Sequence, residues 1–190
     1  MKLWAKLRFH SPSRLLVKLR PALNALAESS LPEKTKKFRN GNQKTDREIL
    51  QAAIFTHGIS ETLGIPTLEF AMSENQDCDC VSRYIEDGTE HYTPIQLKEF
   101  VPEKLRPRIS LDEELGKLAK YTNSSDLIVA YYFNRTAKFP LIKIPRLQIG
   151  ELWFYGCSTP DFSKWCLIGD CMKTPAEREF SLPAGFSYHP

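Results

Sequence analysis

The sequence predicts an α/β fold, because two helix-start signatures enclose a group of strand signatures. Thr45 with Glu48, and Ser110 with Glu113, have the spacing of a capping box, in which each side chain satisfies a free amide at a helix start. Between the two boxes lie alternating segments joined by Asp87 and Gly88, a pair typical of tight hairpin turns. The apolar stretch 127–133 follows the second box and is typical of a strand buried on both faces. This pattern predicts helix, three strands, helix and strand around a central mixed sheet.

Each element has its own signal. The first helix is expected from Thr45 to Leu63, where Gly64 and Pro66 end it. Pro94 cannot donate to a ladder, so it is expected at the start of its strand or on an edge. The predicted strands are 67–72, 77–85, 91–100, 126–134, 147–157 and 165–169, the last two extending the sheet at the C-terminal end.

The same pass along the chain predicts three parts. Residues 1–44 are expected to be a basic N-terminal arm and linker, residues 45–174 the folded domain, and residues 175–190 an irregular tail rich in Pro and Gly. The arm can track phosphates, lie on anionic lipid or act as a transit peptide, and a solvated extension is the plain alternative. No apolar run is long enough to cross a bilayer.

Cysteine usage predicts a reducing compartment, and therefore a cytoplasmic protein. The count of five is odd, whereas disulfide frameworks of secreted domains pair their cysteines. The spacings match no zinc knuckle, so small buried apolar side chains are the favoured interpretation over metal binding. The cysteines concerned are Cys78, Cys80, Cys157, Cys166 and Cys171.

The third predicted strand carries the clearest chemical signal. Side chains alternate along a strand, so Gln96 and Lys98 share one face while Ile95 and Leu97 share the other. Burying an uncompensated ammonium is costly, so Lys98 among apolar neighbours favours a functional explanation. On the preceding strand Asp77 and Asp79 also share a face, and the hairpin can bring them beside Gln96 and Lys98.

A carboxylate, an amide oxygen and a lysine together are suited to phosphodiester hydrolysis. Hard oxygen ligands hold Mg²⁺, and a lysine beside them can orient the attacking water and stabilise negative charge. The stretch from Asp79 to Lys98 resembles the D…(E/Q)-x-K signature of the PD-(D/E)XK nuclease superfamily, in the Gln variant of Mrr-like enzymes. The resemblance covers residues 45–134.

This resemblance implies a restriction-endonuclease-like αβββαβ core and a metal-dependent nuclease. The expected substrate is DNA, the expected cofactor Mg²⁺ or alternatively Mn²⁺, and the chain can act alone or as a homodimer. The implied metal ligands are Asp79, Gln96 and Asp77, with Lys98 catalytic. Members often place a helix Glu at the site, for which Glu48 and Glu61 both qualify, and Glu61 is preferred because Glu48 is assigned to the cap.

Three alternatives stand beside this hypothesis. Lys98 can be an edge-strand side chain that reaches solvent and pairs with Glu99 or Asp79. The domain can be a catalytically inactive module that binds nucleic acid or a protein partner. A partner protein can instead bind aromatic anchors near the last predicted hairpin, namely Trp153, Tyr155, Phe162 and Trp165.

Overall fold

The computed structural model describes residues 4–73, 78–106, 108–134, 144–159 and 162–184. Its helices are α1 (Pro12–Glu28), α2 (Glu33–Lys36), α3 (Lys44–Leu63) and α4 (Leu111–Gly116), the last continued by a 3-10 turn, Lys117–Lys120. Its strands are β1 (Glu69–Met72), β2 (Cys80–Glu86), β3 (Thr89–Phe100), β4 (Ser124–Phe133), β5 (Ile149–Cys157), β6 (Trp165–Gly169) and β7 (Ala176–Phe180).

The seven strands form one mixed sheet in which spatial order follows chain order. Strands β1 to β3 are antiparallel, β3, β4 and β5 run parallel, and β5 to β7 are again antiparallel. Helix α4 lies in the connection between β3 and β4, as a parallel crossover requires. The predicted α/β class with a central mixed sheet is confirmed.

The β2–β3 hairpin follows its local sequence closely. Asp87 and Gly88 both have positive φ, 50° and 76°, which is the requirement of a two-residue primed turn. Pro94 lies inside β3, opposite Val81, and pairing of β3 with β4 begins one residue later, at Ile95. Up to Pro94 the strand pairs with β2 alone, so Pro94 lies where β3 is still at an edge of the described sheet.

Two apolar clusters cover the two faces of the sheet. On one face α1 and α3 pack against strand residues such as Ile95 and Leu97, around the fully buried Trp165. On the other face Leu115 of α4 packs against a cluster that includes Val129. The sheet is therefore covered on both sides, which explains the continuous apolar stretch of β4.

The two predicted capping boxes have opposite outcomes. At Ser110 the box is present, because its side chain accepts from the Glu113 amide at 3.1 Å and its amide donates to the Glu113 carboxylate at 3.0 Å. The prediction of a capping box at Thr45 is wrong. Helix α3 begins one residue earlier, at Lys44, and Glu48 pairs with Lys44 at 3.4 Å.

Residues 12–28 and 176–180 pack into the folded domain, whereas the sequence predicts a separate arm and an irregular tail there. Helix α1 runs through Pro21 and packs on α3, and Leu16 is fully buried, so residues 12–28 belong to the core and not to a separate arm. The prediction of an irregular tail is also wrong for residues 176–180, because they form β7. Phe180 of this strand packs in the core. Long-range apolar contacts explain both corrections.

Further expectations concern single side chains. Trp153, Tyr155 and Trp165 are core residues at 4%, 2% and 0% exposure, so the prediction that they anchor a partner protein is wrong. None of the five cysteines, all within the described residues, forms a disulfide; Cys78 and Cys80 are buried as predicted, and the other three are half-buried. No helix in the described part of the chain is long and apolar enough to cross a membrane.

Candidate active site

Strand β3 presents Gln96 and Lys98 on the face of the sheet that is covered by α4. Parallel pairing places Gln96 beside Val129 and Lys98 beside Tyr131 on β4, and both partners belong to the cluster around Leu115. The intervening residues of β3 point towards α3 on the opposite face. The predicted separation of the polar and apolar positions along this strand is confirmed.

Asp79 lies directly before β2 and meets Gln96 across the hairpin. Its amide donates to the Ile95 carbonyl at 3.0 Å, directly beyond the last ladder pair of this hairpin, Cys80 with Ile95. The Asp79 carboxylate accepts from the Gln96 side-chain amide and, at 2.7 Å, from the backbone amide of Leu97. Asp79 therefore both shapes the site and completes the hydrogen bonding of β3 beyond its last β2 pair.

Lys98 is half-buried on the same face as Asp79. Burial lowers the pKa of its ammonium, a nearby Lys44 acts in the same direction, and the carboxylates of Asp79, Glu114 and Glu48 oppose the shift. The Lys98 nitrogen lies 5.9 Å from the centre of the Tyr121 ring, within the range of a cation–π contact. An amine whose pKa is depressed by burial is better suited to accept a proton than an exposed lysine.

Tyr121 forms one wall of the site. It follows the 3-10 turn after α4 and packs against the apolar cluster that includes Leu115 and Val129. The Lys120 nitrogen lies 5.1 Å from the centre of its ring. Burial raises the pKa of its phenol, Lys120 opposes this rise through its charge and a side-chain hydrogen bond, and the Asp79 carboxylate adds to it. No sequence signal identified Tyr121, because it lies in a loop that only the folded chain brings to β3.

The structure brings together three of the predicted site residues, Asp79, Gln96 and Lys98. It does not bring Glu61 to them. Glu61 is exposed near the end of α3, 13 residues after Glu48 and hence about 20 Å along the helix axis. Glu48, 22% exposed, pairs with Lys44, and its charge is the smallest of the influences that raise the pKa of Lys98. Asp77 lies outside the described residues.

Glu99 has a separate structural role and does not pair with Lys98. Its carboxylate forms a two-pronged ion pair with Arg39, lies 3.7 Å from Arg47 and accepts from Asn134 at 2.8 Å. This network ties the segment before α3 to the ends of β3 and β4. The interpretation of Lys98 as a solvent-reaching partner of Glu99 is therefore wrong.

The donor set at the site is chemically compatible with Mg²⁺. The side-chain nitrogen of Gln96 donates to the Asp79 carboxylate and, at 3.4 Å, to the Leu97 carbonyl. All three groups supply hard oxygen atoms, and Mg²⁺ commonly takes one or two protein carboxylates and keeps several waters. Within the described ranges no three His, Cys, Asp or Glu side chains form a metal-holding group, so the protein would provide few charged ligands.

Comparisons of the chain with protein-family models, curated protein sequences and solved structures find no match. The assignment of a function therefore rests on the geometry of the site and on the order of the elements around it.

Proposed function

We propose that this chain is a metal-dependent nuclease of the PD-(D/E)XK kind that hydrolyses phosphodiester bonds, with DNA as the expected substrate. One observation carries the proposal. Asp79 and Gln96 are hydrogen-bonded to each other, and the half-buried Lys98 stands on the same face one side-chain repeat further along β3.

The order of the elements supports the same proposal. Helix α3 is followed by the antiparallel strands β1, β2 and β3, then by α4 and by β4, which runs parallel to β3. This is the helix, three strands, helix and strand order of a restriction-endonuclease-like core. The remaining strands, β5 to β7, extend the sheet on the far side of β4.

Each residue has a defined task in the proposed reaction. Asp79 and Gln96 would hold Mg²⁺, which when bound polarises water and neutralises charge on the phosphate. Lys98 would orient the attacking water and accept its proton, a task that burial favours by lowering the pKa of its amine.

The test is cleavage of plasmid, linear duplex and single-stranded DNA by the purified chain with Mg²⁺, Mn²⁺ or EDTA. Cleavage that needs the metal and falls about 100-fold or more in Lys98→Met supports the proposal. Lys164→Met is the matched control, because Lys164 is exposed at 57% and pairs with Glu179 on a distant part of the sheet. Absence of cleavage in every metal, or equal cleavage by the Lys98→Met variant, would refute it.

The sparse donor set favours a second candidate function, a nuclease-fold module that binds nucleic acid without cutting it. Gln96 stands where an acid would add a second charge, and its amide nitrogen donates to Asp79. A metal titration with a thermal melt separates the two functions, since a metal bound only by the native state raises the melting temperature. A rise that is lost in Asp79→Asn favours the nuclease, and salt-sensitive DNA binding without any rise favours the module.

A further inference from the structure

We infer that the substrate at this site is single-stranded nucleic acid, with Tyr121 stacking on an unpaired base and Lys120 contacting the adjacent phosphate. The inference deepens the proposed function and rests on it.

The first observation is the position of Tyr121 relative to the reacting groups. Its ring lies 5.9 Å from the Lys98 nitrogen, and Asp79 is close enough to act on its phenol. A base that stacks on this ring is therefore a neighbour of the phosphate that faces Lys98. In a duplex the faces of a base are covered by the bases above and below, so an aromatic side chain can stack only on an unpaired or terminal base.

The second observation is the recessed position of the catalytic groups. Gln96 is only 8% exposed, and Lys98 is half-buried beside the Tyr121 ring. A flexible single strand can enter such a recess by turning one phosphate inwards, whereas a duplex is rigid and about 20 Å wide. An aromatic ring combined with lysines is the general means of binding single strands without reading their sequence.

The third observation concerns charge at the wall of the recess. Lys120 lies 5.1 Å from the Tyr121 ring centre and is exposed, so its ammonium can reach a phosphate next to a stacked base. Lys117, on the same turn, pairs with Glu114 at 2.5 Å and is not needed for this contact. The site thus offers one aromatic ring with an exposed lysine beside it, which also acts on the Tyr121 phenol.

The experiment measures binding of labelled oligonucleotides by fluorescence anisotropy, with the wild-type chain in EDTA. Four probes share one sequence: single-stranded DNA, single-stranded RNA, duplex DNA and a duplex with a single-stranded tail. We expect the single-stranded and tailed probes to bind at least tenfold more tightly than the duplex. The two single-stranded arms identify whether DNA or RNA is preferred.

Variants at Tyr121 test the stacking itself. Tyr121→Leu should weaken single-strand binding about 5- to 100-fold, the usual effect of losing one stacked base, while Tyr121→Phe should retain it. Tyr84→Leu is the matched control, because Tyr84 stacks on His91 at 4.8 Å on the opposite face of the hairpin. If Tyr121→Leu fails to fold, Lys120→Gln replaces it, with an expected decrease of about 0.7 in the salt slope.

Tighter binding of the duplex would overturn the inference. Unchanged single-strand affinity in a folded Tyr121→Leu variant would also overturn it. Where Tyr121→Leu fails to fold, an unchanged salt slope in Lys120→Gln has the same meaning. The outcome is independent of hydrolysis. A chain that cuts only duplex DNA keeps the proposed function and refutes this inference, and a chain that binds single strands without cutting does the reverse.

Discussion

Asp79 has both a structural and a chemical role, and two substitutions can separate them. Its carboxylate accepts from the Leu97 amide at 2.7 Å and from the Gln96 side chain, and both donors are buried, at 6% and 8% exposure. Asp79→Ala leaves two buried donors without this acceptor. Asp79→Asn keeps an acceptor oxygen in the same place and removes only the charge.

The magnitude follows from the cost of unsatisfied donors, which is about 1–3 kcal/mol for each buried group. The Leu97 amide is fixed in the backbone of β3 and bears the full cost, while the Gln96 side chain can turn to another partner. We therefore expect Asp79→Ala to lower the free energy of unfolding by about 2–3 kcal/mol. In a chain of 190 residues this corresponds to a fall in melting temperature of roughly 4–12 °C. Asp79→Asn should cost about 1 kcal/mol or less.

The assay is urea unfolding followed by tryptophan fluorescence, since Trp153 and Trp165 are buried and report loss of the core. DNA cleavage is measured on the same preparations. We expect both variants to lose cleavage and only the alanine variant to lose substantial stability. Equal stability loss in both variants would contradict the assigned hydrogen bonds, and full cleavage by Asp79→Asn would contradict its role as a metal ligand.

Three further predictions concern other parts of the molecule. Glu99→Gln removes the charge that pairs with Arg39, whose side chain is only 14% exposed. We expect the free energy of unfolding, measured in urea, to fall by about 3 kcal/mol. A loss below about 1 kcal/mol would show that the ion pair is dispensable. A Cβ on Gly58 would meet the Phe180 ring at 2.8 Å, so Gly58→Ala should destabilise α3 by about 1–2 kcal/mol despite its better helix propensity, and Phe180→Leu should restore part of the loss in the double variant. Burial and a neighbouring glutamate raise the pKa of Cys166 to about 12, so its alkylation, followed by peptide mass spectrometry, should be very slow at pH 8 and rise about tenfold per pH unit above it; rapid alkylation at pH 8 would refute this environment.

The sequence determined those features that depend on neighbouring residues. Asp87 and Gly88 specify the hairpin because few residues accept two positive φ angles, and Ser110 with Glu113 specify the start of α4 by hydrogen bonds within one turn. The alternation of β3 separated Gln96 and Lys98 from their apolar neighbours because side chains of a strand alternate by geometry alone.

Only the tertiary structure decided which groups meet across long distances in the chain. The start of α3 at Lys44 left Glu48 paired with Lys44 and without a capping role, and the loop after α4 placed Tyr121 beside the Lys98 amine. Strand β7 formed against its propensity because Phe180 fills space against α3. Such choices depend on apolar burial and charge pairing between distant segments, which local propensity does not encode.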